Sequence, residues 1–256
     1  MTHASGALKG HVALITGGNG GIGLGIARGL ASAGADIAIW GTNEAKNQRA
    51  ATQLASLGVR VHAERCDVSD EDDVERAFGA TVTSLGKVDS VFANAGISGA
   101  AVPFTELSLA EWNHVHSINL TGAFLTLRAG ARHLVDRGEG GALVAVSSIT
   151  AIKGAPRREA YASSKTALLA LARTLAVELA KHRIRVNALL PGWTYTDLLN
   201  PSPEQATFER NTISRTPVRR WADPDELGPI AAHLADPTIT FHTGDTVVVD
   251  GGYTIF

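Results

Sequence analysis

The sequence predicts an α/β fold in which seven parallel strands form one doubly wound sheet with helices on both faces. Three observations carry this expectation. Short apolar runs alternate with longer amphipathic ones along the whole chain. The short runs are continuous in Val, Ile and Leu instead of alternating with polar residues, as strands buried on both faces require. The β-α-β-α order calls for right-handed crossovers, which put helices on both sides of a parallel sheet.

In chain order the strands are expected at 11–16 ("HVALIT"), 36–40, 59–64, 88–94, 142–148, 184–190 and 245–250. Helices are expected near 21–33, 44–57, 70–84, 108–137, 158–182 and 223–235. Helix starts have chemical reasons. Ser69-Asp70 precedes Glu71, Asp72 and Asp73, so a capping side chain and first-turn acids favour the exposed N–H groups. Asp223-Pro224-Asp225-Glu226 does the same for the last helix, with proline in its first turn. The 191–222 segment departs from the pattern: it holds Pro191, Pro201, Pro203 and Pro217 and leaves room for one short helix. A loop this long in a compact domain is functional or mobile.

At 256 residues, 45% hydrophobic, 19% charged and with a formal net charge of −2, the chain has ordinary globular composition. It shows no Pro/Gly/Ser-rich linker and no internal repeat, so a single domain over 1–256 is expected. Without a Lys/Arg run, a nucleic-acid or anionic-membrane partner is not expected. One cysteine, Cys66, excludes an intrachain disulfide and suits a reducing compartment. No apolar run suits a secretion signal or a membrane span, and a cytoplasmic protein is expected. The nine histidines form no ligand pattern: His114 and His116 diverge on a helix, and no metal site is expected.

The first strand runs directly into "TGGNGGIG", Thr16 to Gly23, where a helix begins. Gly17, Gly21 and Gly23 allow a tight turn and a close approach of backbone N–H groups to a pyrophosphate, which the helix N-terminus stabilises. Read alone, the motif also fits a plain glycine-rich loop. Its place between strand and helix points to a dinucleotide, with Asn19, Gly20 and Ile22 in the same turn. Nucleotides lie beyond the carboxyl ends of parallel strands. There Asp67, followed by Val68, could accept from an adenine amino group or be a surface acid. Asn94-Ala95-Gly96 could brace strands and admit a ribose, or form an ordinary turn.

"YASSK" puts Tyr161 four residues before Lys165, on one face of the expected helix. Ser148 ends the fifth strand, either as a cap or as a third member of this group. Together they suit hydride transfer at a carbonyl, where an oxygen must gain or lose a proton. A free phenol has a pKa of about 10. An ammonium and an oxidised nicotinamide beside it favour the phenolate, and a shift of about two units needs roughly 2.7 kcal/mol. Ser148 would hold the substrate oxygen near the phenol.

"TGGNGGIG", "NAG", Asn119 in "SINLTG", Ser148, "YASSK", "PGW" and the late "DGG" resemble, in this order, the motifs of short-chain dehydrogenases/reductases. The resemblance covers essentially the whole chain and implies a Rossmann-type sheet. It implies Tyr161 as acid/base, Ser148 as substrate orienter, and Lys165 as the group that lowers the phenol pKa and binds the nicotinamide ribose. Asn119, unremarkable by spacing, would bend its helix around a proton-relaying water. Pro191, Gly192, Thr194 and Thr196 would contact the nicotinamide end, and the 191–222 loop would cover the substrate. Relatives preferring NAD often carry Asp where this chain has Gly41. Those preferring NADP often carry Arg where it has Thr42 or Gly20. With neither present, NAD is expected over NADP, although Lys46 and Arg49 are close in sequence.

The expected activity is interconversion of a secondary alcohol and a ketone, on a polyol, sugar, hydroxy acid or cyclic ketone. The rivals are a 3-oxoacyl-thioester reductase and a non-catalytic dinucleotide-binding regulator. Arg157 and Arg158 either recruit an anionic substrate group or form a solvated charge pair. Trp193, Leu198 and Ile97 fit either apolar walls of the substrate pocket or packing of the core or loop, and Trp221 is expected to pack the loop. Leu168, Leu169, Leu171, Leu175, Val177 and Leu179 do not keep to one stripe of the 158–182 helix. That helix is therefore expected to pair with a second subunit together with 108–137, giving a dimer or the tetramer common in this family.

Overall fold

The computed structural model describes residues 7–196 and 203–256. Seven parallel strands form one sheet in the order β3-β2-β1-β4-β5-β6-β7. They are β1 (Val12–Thr16), β2 (Asp36–Gly41), β3 (Val61–Arg65), β4 (Ser90–Ala93), β5 (Gly141–Val146), β6 (Ile184–Pro191) and β7 (Thr246–Val249). Each matches an expected strand to within a few residues. The helices are α1 (Gly21–Ser32), α2 (Glu44–Ala55), α3 (Glu71–Leu85), α4 (Leu109–His116), α5 (Gly122–Arg137), α6 (Glu159–Leu179), α7 (Pro203–Ser214) and α8 (Gly228–Ala235).

The continuous apolar runs have a simple consequence. In β1, Val12 and Leu14 join one core while Ala13 and Ile15 join the other, because successive side chains point to opposite faces. Val74 and Phe78 of α3 and Leu168 and Leu169 of α6 cover the first face. Ile26 and Leu30 of α1, Leu54 of α2 and Leu234 of α8 cover the second.

Two helices differ from expectation. The 108–137 helix is interrupted at Ser117–Thr121 by a π-helical turn, in which the Gly122 N–H bonds Ser117 O. The last helix begins as a 3-10 turn, Pro224–Leu227, with an Asp223/Glu226 capping box. Pro229 has no N–H for the Asp225 carbonyl, and the Gly228 N–H takes it in a shorter-range bond.

Chain order reverses between β1 and β4, which are neighbours although far apart in sequence. In doubly wound sheets the crevice beyond the carboxyl ends at such a point receives the ligand. At the opposite end of β1, His11 Nε2 lies 3.0 Å from Ser90 Oγ. Burial pushes the His11 imidazole down to about 4, with Asp89 opposing and Lys87, Arg137 and Arg185 assisting. Its folded pKa lies below the ordinary value of about 6.5, so the unfolded chain takes the proton first as pH falls. The stabilisation is complete above about 6.5 and is lost towards 4. We expect about 3 kcal/mol of the acid-induced loss to come from this group. Urea melts at neutral and acid pH should show a flatter dependence for His11→Gln. Parallel curves would remove the assignment.

Candidate active site

β1 ends at Thr16, whose Oγ1 accepts the N–H groups of Asn94 and Ala95, each at 3.0 Å. Asn94 Nδ2 returns a bond to Thr16 O at 2.9 Å. The expected brace between strands therefore joins β1 and β4 at the reversal point. Beyond Thr16 the chain turns through Gly17, with φ +65°, and Gly21, with φ +48°. A Cβ on Gly23 would lie 2.2 Å from Gly17 O and 2.6 Å from Asn94 Nδ2, so that position has no room for a side chain.

α1 starts on Gly20 with no side-chain cap and no first-turn acid. By contrast Asn43, Asp70 and Ser108 cap α2, α3 and α4, each of which carries a first-turn acid. Three helices satisfy their first N–H groups internally, whereas the helix behind the glycine turn leaves them for an anion. Thr196 lies across the turn, its Cγ2 3.2 Å from where a Cβ on Gly21 would stand. This donor set fits the diphosphate of a dinucleotide.

Around the end of β2 the polar atoms are neutral and mutually engaged. Asn19 Nδ2 donates to Asn47 Oδ1 at 2.6 Å, and Asn47 Nδ2 donates to Gly41 O at 2.8 Å. A Cβ on Gly41 would meet Asn19 Nδ2 at 2.3 Å. Thr42 is exposed. Beside this group a cavity of about 300 Å³ is lined by Asn19, Gly20, Arg28, Lys46 and Arg49. Asp67 Oδ1 accepts from the Ser69 N–H and hydroxyl, organising the turn into α3, while Val68 is buried.

The side chains singled out for proton chemistry converge beyond β4 and β5. Ser147 Oγ donates to Lys165 O at 2.7 Å, and Lys165 Nζ donates to Val146 O at 2.9 Å, tying α6 to the end of β5. Asn119 is fully buried in the π-turn. Its Oδ1 accepts from Ile97 N at 2.8 Å, and its Nδ2 donates to Ile97 O at 2.9 Å and Ser164 Oγ at 3.2 Å. A Cβ on Gly96 would stand 3.1 Å from Asn119 Oδ1 and 3.3 Å from Lys165 Nζ. Glycine at that position lets the post-β4 loop touch both groups. Ser148 Oγ accepts from Thr150 N at 3.2 Å, so it caps a short 3-10 turn as well as facing the phenol.

The phenol and ammonium are less intimate than four-residue spacing implies. Lys165 Nζ lies 5.9 Å from the Tyr161 ring centroid and is directed at a backbone carbonyl. Burial pushes the Tyr161 phenol up, against Ser148 and Arg158, which pull it down. Burial also pushes Lys165 down, to about 8. Lys165 is buried and Tyr161 half-buried, so a second charge brought into the site is screened less than it would be in open solvent.

Pro191 ends β6, and a Cβ on the following Gly192 would collide with Asp250 at 2.6 Å. Thr194 is buried and bridges to Ala222. Trp193 meets Phe208 edge-on at 4.8 Å and stacks with Trp221 at 5.8 Å. The Trp221 Nε1–H donates to Thr212 Oγ1 at 2.9 Å, so this residue packs the loop as expected. Ile97 is half-buried and Leu198 lies outside the described residues. Arg157 is exposed, whereas the Arg158 head is held on the carbonyls of Ser98 and Gly99. His116 stacks on Trp112, and no group of His, Cys, Asp and Glu suited to a metal occurs among the described residues.

Thr16, Ser147 and Ser164 were not singled out in the sequence. Each is a small hydroxyl residue beside a motif, and only its partner on another element, Asn94 for Thr16, Lys165 for Ser147 and Asn119 for Ser164, distinguishes it from an ordinary serine or threonine.

Residues 17–254 match the family model described as enoyl-(acyl carrier protein) reductase. The chain is 37% identical over 243 residues to a cis-4-hydroxycyclohexanecarboxylate dehydrogenase of Sinomonas cyclohexanicum, covering 95% of this chain and 96% of that one. It is 35% identical over 246 residues to the 5-keto-D-gluconate 5-reductase of Escherichia coli strain K12, covering 96% of each. A short-chain type dehydrogenase/reductase from Mycobacterium marinum superposes with a TM-score of 0.90 at 34% identity, over 96% of both chains. The ordered motifs, the sheet with its reversal between β1 and β4, and these likenesses agree: the chain belongs to the short-chain dehydrogenase/reductase family of NAD(P)-dependent oxidoreductases acting on CH–OH groups.

Proposed function

We propose that the protein interconverts a secondary alcohol and its ketone on a ring or sugar-acid scaffold, with Tyr161 as acid/base. The observation that carries this is the contiguity of Gly96, Asn119 and Lys165, with Tyr161 and Ser148 beside them and the glycine turn next to the same strand ends. When bound, the nicotinamide supplies or accepts the hydride. Tyr161 takes the hydroxyl proton during oxidation and returns it during reduction, and Ser148 holds the reacting oxygen. Lys165, fixed on Val146 O, contributes positive charge and would help to hold the nicotinamide ribose. Asn119 holds the Ile97 backbone beside Lys165 and widens its helix at the proton-relay end.

The substrate class follows two relatives, one named for a hydroxylated cyclohexane carboxylate and one for a keto-sugar acid. The 191–222 segment is read as the cover of this substrate within one domain. NAD is the proposed cofactor, since the groups around Gly41 are neutral amides paired with one another. Arg28, Lys46 and Arg49 around the neighbouring cavity favour NADP as the second reading. Exposed Phe124, Leu109 and Val177 support assembly through α4, α5 and α6, although Leu168, Leu169 and Leu179 are already buried within the chain.

The test is a turnover panel of cyclic alcohols, hydroxy and keto acids, sugars and a 3-oxoacyl thioester, with both cofactors and with sedimentation of the same sample. Turnover of the small alcohols or ketones, NAD preference in kcat/KM and a dimer or tetramer at micromolar concentration are expected. A thioester preference, or more than about tenfold preference for NADP, replaces the corresponding part of the reading. A monomer ends the assembly proposal.

A further inference from the structure

The start of α6 breaks two local rules. Arg157 adopts φ +62°, a left-handed conformation that a long side chain disfavours. Arg158 is the N-cap residue and makes no side-chain cap bond. A cation there opposes the positive end of the helix dipole, in a position where Ser, Thr, Asp or Asn satisfies the first N–H groups better. Local rules broken without local gain occur where function is served. Here the gain is tertiary.

The Arg158 guanidinium donates to Gly99 O at 2.7 Å and Ser98 O at 3.3 Å, crossing from α6 to the loop that follows β4. That loop is anchored on its other side by Glu111 of α4, whose Oε1 accepts from Ala100 N at 2.7 Å. Gly99 has φ +68°, and a Cβ there would stand 2.6 Å from Val115 Cγ2. The loop is therefore clamped between α4 and the first turn of α6. A small cavity between Ser98, Gly99, Glu111, Val115, Arg158 and Tyr161 brings the clamp and the phenol together.

We infer that Arg158 is a positioning residue for the reaction, locking the 97–100 loop against α6 while presenting a fixed positive charge to the Tyr161 phenol. The inference rests on Tyr161 as acid/base. The groups facing that phenol are Ser148 from beyond β5, Arg158 at the start of its own helix and Lys165 one turn along it. Glu111, Arg157 and Glu159 line the shared cavity. Glu111 is engaged by Ala100 N, and Glu159 by Arg157 N at 3.2 Å. Arg158, which lines one cavity with Tyr161, is thus a cation that acts on the phenol from the loop side, and it opposes the effect of burial. Its commitment to two carbonyls also makes it a poor recruiter of substrate anions.

The test compares wild type, Arg158→Gln, Arg158→Met, Arg158→Lys and Tyr161→Phe. Tyrosinate formation is followed by ultraviolet absorbance with and without oxidised dinucleotide, Tyr161→Phe supplying the baseline of the other two tyrosines. The pH dependence of kcat/KM for alcohol oxidation is measured alongside. Loss of the cation in Arg158→Gln and Arg158→Met is expected to move the Tyr161 ionisation and the activity limb about one pH unit toward base. Arg158→Lys should leave both close to wild type while raising KM, since a lysine keeps the charge but not the forked grip on two carbonyls. An unmoved ionisation, a loss equal at every pH, or failure of both neutral variants to fold makes Arg158 merely structural and overturns the inference. An active Tyr161→Phe instead overturns the acid/base reading itself.

Discussion

Tyr161→Phe is expected to lower kcat/KM about 10³-fold while leaving the fold and cofactor affinity intact. Tyr161 is half-buried, with Ser148 on one side and Arg158 and Lys165 as the nearby cations. Phenylalanine keeps the ring and its packing and removes the group that exchanges a proton with the substrate oxygen. General acid/base catalysis is worth about 10²–10⁴-fold, and a thousandfold loss corresponds to about 4 kcal/mol of transition-state stabilisation. Ser148 remains able to hold the substrate, so kcat should fall more than KM rises. The measurement is steady-state kinetics in both directions, with cofactor titration by intrinsic fluorescence and thermal unfolding as controls. Retention of more than about a tenth of wild-type kcat would assign the proton to another group.

The second large effect is expected for Gly23→Ala, which touches no reacting group. The added methyl would stand 2.2 Å from Gly17 O and 2.6 Å from Asn94 Nδ2. Neither neighbour can yield cheaply. Gly17 is backbone in a left-handed turn, and Asn94 is held on Thr16 at 2.9 Å. Overpacking of this kind costs about 1–3 kcal/mol, which for a chain of this size lowers Tm by roughly 2–12 °C. The larger consequence is for binding, because the displaced carbonyl forms the turn that would carry the diphosphate. We expect Kd for the dinucleotide to rise at least about 100-fold, or roughly 2.7 kcal/mol. Gly79→Ala is the matched control: it is exposed on α3 and its Cβ meets nothing within 4 Å. That variant should bind normally and unfold no earlier. Unchanged affinity in Gly23→Ala would mean that the glycine turn is not the diphosphate site.

Much of this could be read without the structure because the signals are local. Continuous apolar runs announced strands buried on both faces, and all seven appear in one parallel sheet, although β3 and β7 are its edges and stay only half-buried. Asp70 and Asp223 cap helix starts as their sequence neighbourhoods predicted. Gly17, Gly21 and Gly23 mark a turn through conformations and close approaches suited to glycine. The ordered motifs were sufficient to point to the family.

Tertiary structure decided what depends on residues distant in sequence. Asn119 resembles any polar helix residue until its amide is seen bonded to the Ile97 backbone, 22 positions away, within a widened helical turn. Thr16 meets Asn94 across 78 positions, and Lys165 meets Val146 across 19. The chain order placed Lys165 one helical turn from Tyr161 but could not show that burial governs both groups, or that the Arg158 cation reaches the phenol from the clamp on the neighbouring loop. Periodicity and turn chemistry act over a few residues, and one sequence records them. Desolvation and the field at a buried oxygen are sums over everything that folding brings near it, and they exist only once the sheet and its helices have closed around the site.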